Sequence, residues 1–207
     1  MNTYYQKLLP NNIYHLFSRA VGSEKLFLTS DNYFFFLNKL KQHTSSVCKI
    51  FCYTLLPNHF HIVAKIENEE SIARHFKIVK KKAFNPAEND ISDFIMERFS
   101  NLLNSYTKAF NKREGRKCAL FMDYMRRSIV SKESDFTNYV WYVHKNAVHH
   151  HLTKKVGDWP FDSYQILIGD STTHLLRNDI VQWFGNKDLF IDFHQQEIQP
   201  KINIQEV

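Results

Sequence analysis

Tyr53-Thr-Leu-Leu-Pro-Asn-His-Phe-His-Ile-Val-Ala-Lys-Ile66 joins an apolar run, a Pro57-Asn58 break and an alternating run in direct succession. Pro and Asn punctuate, and a short turn between two such runs predicts an antiparallel hairpin. The first strand is expected over Val47 to Leu56. Side chains two apart on a strand share a face, so His59 and His61 project together while Phe60 and Ile62 point into a core. Two imidazoles on one strand face are half of a metal site. The same pattern also arises from one exposed histidine and one satisfied by a hydrogen bond, so a metal requires a third ligand elsewhere.

The rest of the chain falls around this hairpin. Asn12 to Arg19 reads as an earlier strand, and Asp31 is a candidate cap for a helix through Tyr33, Phe36, Leu37 and Leu40. Ser71 is a candidate cap for a helix carrying Ile72, Phe76 and Val79. A longer helix over Ser92 to Lys112 places Ile95, Phe99, Leu102, Leu103, Tyr106 and Phe110 on one stripe. A strand is expected over Tyr124 to Val130, then a helix capped by Ser131 or Ser134 and reaching His149. The order is β-α-β-β-α-α-β-α. This predicts one α+β domain over residues 1–151, an antiparallel sheet with helices packed on one face, ferredoxin-like or RRM-like. Residues 152–207 read as a helical extension, with Trp159-Pro160-Phe161 as a compact turn, short helices near 175–184 and 187–195, and a polar tail from Glu197.

Bulk properties narrow the function. The 207 residues, 43% of them hydrophobic and 18 of them Phe, suffice for a well-packed core. A net charge of +6 suits a polyanionic partner, or an ordinary basic cytosolic protein. Only five glycines occur, and neither G-x-G-x-x-G nor G-x-x-x-x-G-K is present, which argues against a phosphate-cradling nucleotide loop. Cys48, Cys52 and Cys118 are odd in number and lack a C-x-x-C pair, so neither a disulfide framework nor a cysteine zinc site is expected. There is no bilayer-length apolar stretch and no secretory signal, and a cytoplasmic protein without membrane partners is expected.

Within Ser134-Asp-Phe-Thr-Asn-Tyr-Val-Trp-Tyr-Val-His-Lys-Asn-Ala-Val148, Phe136, Val140, Val143 and Ala147 form a core stripe. Tyr139, Tyr142 and Asn146 fall on another stripe at spacings of three and four. A phenol can act as a nucleophile and an amide oxygen can bind a cation, although a half-buried Tyr142 and a surface Asn146 account for the same spacing.

These segments together resemble the single-tyrosine HUH transposases, and among them the REP-associated tyrosine transposases. The stretches that carry the likeness are Tyr14-His-Leu-Phe-Ser-Arg19, Leu56-Pro-Asn-His-Phe-His-Ile-Val63, Leu120-Phe121 with Arg126-Arg-Ser-Ile-Val130, and Tyr142-Val-His-Lys-Asn-Ala-Val148. Trp159-Pro-Phe-Asp-Ser-Tyr164, Trp183-Phe-Gly185 and Phe190-Ile-Asp-Phe-His194 continue it, in family order over nearly the whole chain. The resemblance implies that His59, His61 and Asn146 bind Mg²⁺ or Mn²⁺ and that Tyr142 is the catalytic nucleophile, Tyr139 being its rival on the same helix face. The implied reaction is cleavage and rejoining of single-stranded DNA at or near hairpins through a 5′-phosphotyrosine. A catalytically silent relative that only binds hairpin DNA or RNA is the alternative, and an unrelated protein with structural histidines is another. Ala20, Met122 and Ala147 depart from the family pattern at positions where Gly, Gln and Pro are common, which bears on substrate preference. Some relatives are dimers that exchange the tyrosine helix, so a homodimer stays open. Lys77, Lys80, Lys81 and Lys82 make a basic helical cluster. With Arg19, Arg126, Arg127 and Lys145 they are candidate DNA contacts, a solvated helix face being the other reading of the lysines. The run His149-His150-His151 is read as an exposed helix end with no catalytic role.

Overall fold

Alternation along β1 (Ile13–Arg19) sends Tyr14 and Leu16 to one face of a sheet and His15 and Phe17 to the other. The computed structural model, which describes residues 6–122 and 125–198, pairs β1 with β3 (His59–Ile66) and with β4 (Arg126–Ile129). β2 (Cys48–Leu56) joins β3 through the turn at Pro57-Asn58, and the four strands lie in the order β2-β3-β1-β4, all antiparallel. Register sets Phe17 and Thr54 on either side of His61, and Arg19 and Leu56 on either side of His59. Tyr124, the expected start of the last strand, lies outside the described residues, as does the expected polar tail beyond 198.

Leu16, Phe60 and Ile62 point to the face covered by α1 (Ser30–Thr44) and α3 (Ile91–Arg113), where Phe36, Leu40, Phe99, Leu102 and Tyr106 complete the main core. Each such fully buried large apolar side chain contributes about 1.5–3 kcal/mol by area. α2 (Glu69–Lys80) adds Ile72 and Phe76 to this layer. The opposite face is also apolar where β2 and β3 expose Cys52 and Val63, and it is covered by α4 (Glu133–His149). Helices on one face therefore describe α1 and α3, while α4 forms a third layer because a sheet apolar on both sides must be covered twice. Phe136, Val140 and Val143 of α4 share this second cluster with residues of α5 (Tyr164–Ile168), α6 (Arg177–Trp183) and α7 (Lys187–Gln195). The Trp159 indole N–H, 2.8 Å from the Leu55 carbonyl, ties the start of this segment to β2.

Helix starts differ from expectation by one to three residues. Asn32 Oδ1 accepts from the Leu28 and Thr29 amides at 2.9 and 3.1 Å, so α1 begins one residue before Asp31. Asn68 caps α2 by accepting from the Ser71 amide at 2.8 Å, which makes Ser71 the donor rather than the cap. Asp90 caps α3, accepting from Ser92 at 2.7 Å. Lys132, not a serine, precedes α4, and no side chain caps it. α5 was not expected, being a single short turn of helix after the Trp159-Pro160-Phe161 bend. Among the described residues no helix is long and apolar enough to cross a membrane.

Candidate metal and nucleophile site

The face of β3 that carries His59 and His61 looks at the Tyr142/Asn146 stripe of α4. Both imidazoles and Asn146 are almost wholly buried, whereas Tyr142 is half-buried. His59 Nε2 lies 3.1 Å from Asn146 Oδ1, and the Tyr142 ring stands edge-on to His61 with centroids 5.3 Å apart. Tyr139, the rival phenol, is buried behind the site with its ring 4.9 Å from that of His15.

The hydrogen bonding of this group is incomplete. Burial pushes the His59 imidazole down to about 4; the Asn146 contact opposes this, and the nearby His150 and Arg19 add to it. Burial, reinforced by neighbouring imidazoles, holds His61 well below its ordinary value. Both rings are therefore neutral near pH 7, the form that binds metals. A neutral imidazole has one N–H, yet His59 presents both nitrogens to amide oxygens, Nδ1 to Asn58 Oδ1 at 2.8 Å and Nε2 to Asn146 Oδ1 at 3.1 Å. One of these contacts brings two lone pairs together. Reversing the Asn146 amide would convert it to an N–H···N bond, and a cation would accept both lone pairs without reversal. His61 Nε2 and Asn146 Nδ2 are buried and make no hydrogen bond, although such atoms are rarely left unpaired.

Two imidazole nitrogens and an amide oxygen suit Mn²⁺ or Mg²⁺. The 3.1 Å separation of His59 Nε2 and Asn146 Oδ1 fits adjacent corners of an octahedron with bonds of about 2.1 Å. Among the described residues no three His, Cys, Asp or Glu side chains form a metal-binding group, so a cation here depends on the Asn146 oxygen.

The candidate DNA contacts divide. Arg19 pairs across from His59 and its Nε lies 3.0 Å from the Met122 sulfur; Arg126 pairs with Phe17 on the same sheet face. Arg127 pairs with Leu16, so it points to the opposite face. There it is buried and donates to the backbone carbonyls of Gln6 and Met125, as a structural clamp. Lys77 and Lys81 are exposed on and just after α2, in the layer across the sheet from the histidines. Lys145 lies about 100° around α4 from Asn146, pairs with Glu197 at 2.7 Å and covers Trp141.

Three features escaped the sequence reading. His15 is buried with Nε2 2.9 Å from His61 Nδ1; alternation along β1 put it on the correct face, but only strand register gives it this partner. His150, one turn past Asn146, brings its ring to 4.7 Å from His59, so the histidine run is not wholly remote from the site. His144, His194 and Ser163 form a second buried cluster on the other side of α4.

No family model matches the chain. It is 24% identical over 140 residues, 66% of this chain and 67% of the relative, to a Haemophilus influenzae protein whose name assigns it to the REP-associated tyrosine transposases. A solved structure of a REP-associated tyrosine transposase bound to a REP hairpin shares the fold, with a TM-score of 0.57, 17% identity and coverage of 84% of this chain and 94% of that one. The class is thus an α+β fold built on a four-stranded antiparallel sheet, with paired histidines facing a tyrosine helix. The sequence relative carries the name of the REP-associated tyrosine transposases, and the solved structure bearing that family's name shares this fold.

Proposed function

We propose that this protein is a metal-dependent tyrosine transposase that cuts and rejoins single-stranded DNA at or near hairpins. The observation that carries this reading is the meeting of Tyr142 and Asn146, one helical turn apart, with His59 and His61 in a cluster where the buried His61 Nε2 and Asn146 Nδ2 make no hydrogen bond. His59, His61 and Asn146 would hold Mg²⁺ or Mn²⁺, which when bound neutralises a non-bridging phosphate oxygen and favours in-line attack. The Tyr142 oxygen attacks phosphorus as its proton leaves. The Tyr–O–P bond forms, the P–O3′ bond breaks, and the departing 3′ oxygen takes up a proton. A later 3′ hydroxyl reverses these steps and seals a junction. The bond energy stays in the phosphotyrosine, so no nucleotide triphosphate is consumed. Arg19 and Arg126 bring positive charge to the same sheet face, where they would draw the phosphates in.

All four groups meet within one chain, which supports a reaction carried out by a single protomer. The REP hairpin bound by the fold neighbour supports a hairpin partner for this reading. The test uses single-stranded DNA bearing the hairpins that flank the gene, with Mn²⁺. The parent should yield a covalent protein–DNA adduct, lost with EDTA and in Tyr142→Phe. Cleavage by Tyr142→Phe at the parental rate would refute the nucleophile. Tight hairpin binding without any adduct would leave a binding module instead.

A further inference from the structure

His15 has no part in the proposed chemistry, yet it touches the site directly. Its Nε2 lies 2.9 Å from His61 Nδ1, and both rings are buried. Phe17 stacks on it at 4.9 Å and Tyr139 lies at the same distance, so the ring is packed against both. The pairing Phe17↔His61 places β1 and β3 so that the two imidazoles lie side by side, centroids 5.0 Å apart and planes 11° from parallel.

Two neutral imidazoles that share one hydrogen bond must divide the roles of donor and acceptor. If His61 donates from Nδ1, its lone pair is committed to Nε2, the buried atom that makes no hydrogen bond. If His15 donates instead, His61 carries its proton on Nε2, where it would face no acceptor and would block a cation. The first arrangement leaves no buried N–H orphaned on His61 and is the cheaper one.

We propose that His15 is a positioning residue that accepts the His61 Nδ1 proton and so fixes His61 in the tautomer and orientation that offer Nε2 to a divalent cation. This rests on reading His59, His61 and Asn146 as the metal-binding set. Outer partners that hold a ligating imidazole in this way commonly change metal affinity by roughly 10–100-fold when removed.

The tautomer can be read without metal, from ¹⁵N shifts of the histidine rings in the full chain near neutral pH. His61 should carry its proton on Nδ1 in the parent; a proton on Nε2 would overturn the proposal. Mn²⁺ binding, followed by titration and by electron-spin-echo detection of coordinated nitrogen, supplies the second reading. The parent should show two coordinated imidazoles, His15→Phe should bind Mn²⁺ roughly 10–100-fold more weakly, and His15→Gln, which keeps an acceptor, should recover most of that loss. Parental affinity in His15→Phe, or a third coordinated imidazole in the parent that His15→Phe removes, would refute it while leaving the metal site intact. If His15→Phe fails to fold, the parental ¹⁵N shifts and the nitrogen count still decide. Absence of Mn²⁺ binding by the parent, or binding unchanged in His61→Ala, would defeat the metal reading itself, and the positioning role with it.

Discussion

Two buried histidine clusters flank α4, and they are built oppositely. On the sheet side, His15, His59, His61 and Asn146 leave His61 Nε2 and Asn146 Nδ2 without partners. On the far side, His144 Nδ1 meets His194 Nε2 at 2.9 Å, His144 Nε2 meets Ser163 Oγ at 2.9 Å, and His194 Nδ1 donates to the Phe190 carbonyl at 2.7 Å. Ser163 Oγ in turn accepts from the Tyr53 amide at 2.9 Å. Every ring nitrogen of the second cluster is used within the protein, joining α4 to α7 and β2. A buried polar network that is complete holds a fold together, whereas one left incomplete has capacity for a ligand. The same residue type thus serves two ends on opposite sides of one helix.

The comparison breaks most sharply at Asn146. Asn146→Ala should lower DNA cleavage by about 100-fold, with a stability change under about 1 kcal/mol because its amide N–H₂ is unpaired in the fold. A large fall in melting temperature with cleavage intact would make Asn146 part of the scaffold. His194→Leu should do the reverse, costing about 1–3 kcal/mol in denaturant unfolding by stranding His144 Nδ1, while metal affinity measured below the unfolding transition stays parental.

Acid should loosen the complete cluster as well. Burial pushes the His194 imidazole down to about 4, so below its ordinary value of 6.5 the unfolded chain binds a proton that the folded chain does not. Stability therefore falls as pH drops from 6.5 to about 4, by about 1.4 kcal/mol per pH unit for this group. Urea titrations across that window should show the loss, to which the other buried imidazoles contribute with the same sign, and His194→Gln should make its slope shallower; an unchanged slope would remove His194 as a contributor. The smallest effect separates the two sheet faces. Arg19→Ala and Arg126→Ala should each weaken single-strand binding by roughly 3–10-fold and reduce its salt dependence, while Lys77→Ala and Lys81→Ala change it by less than about 2-fold. Equal effects from both pairs would place DNA on α2 as well.

The spacing of His59 and His61 made their common face readable, and the turn of helix between Tyr142 and Asn146 made theirs readable too, because both are local repeats of backbone geometry. The resemblance then joined the two. The split among the basic residues was not readable in the same way. Arg126 and Arg127 are adjacent in sequence and opposite in the sheet, and which one faces the histidines follows from pairing with Phe17 or Leu16. The third layer was partly visible in the core stripe of α4, but its seat on β2 and β3 depends on how apolar the second sheet face is.

Sequence alone thus determined the element order, the paired histidines, and the helix that offers a phenol and an amide on one side. Tertiary structure decided what those groups meet. His15 reaches His61 across 46 residues and His144 reaches His194 across 50, through strand register and helix docking that no local pattern encodes. Hydrogen bonds over such distances exist only once the layers have packed. Whether a buried histidine is satisfied or left open is therefore a property of the folded protein.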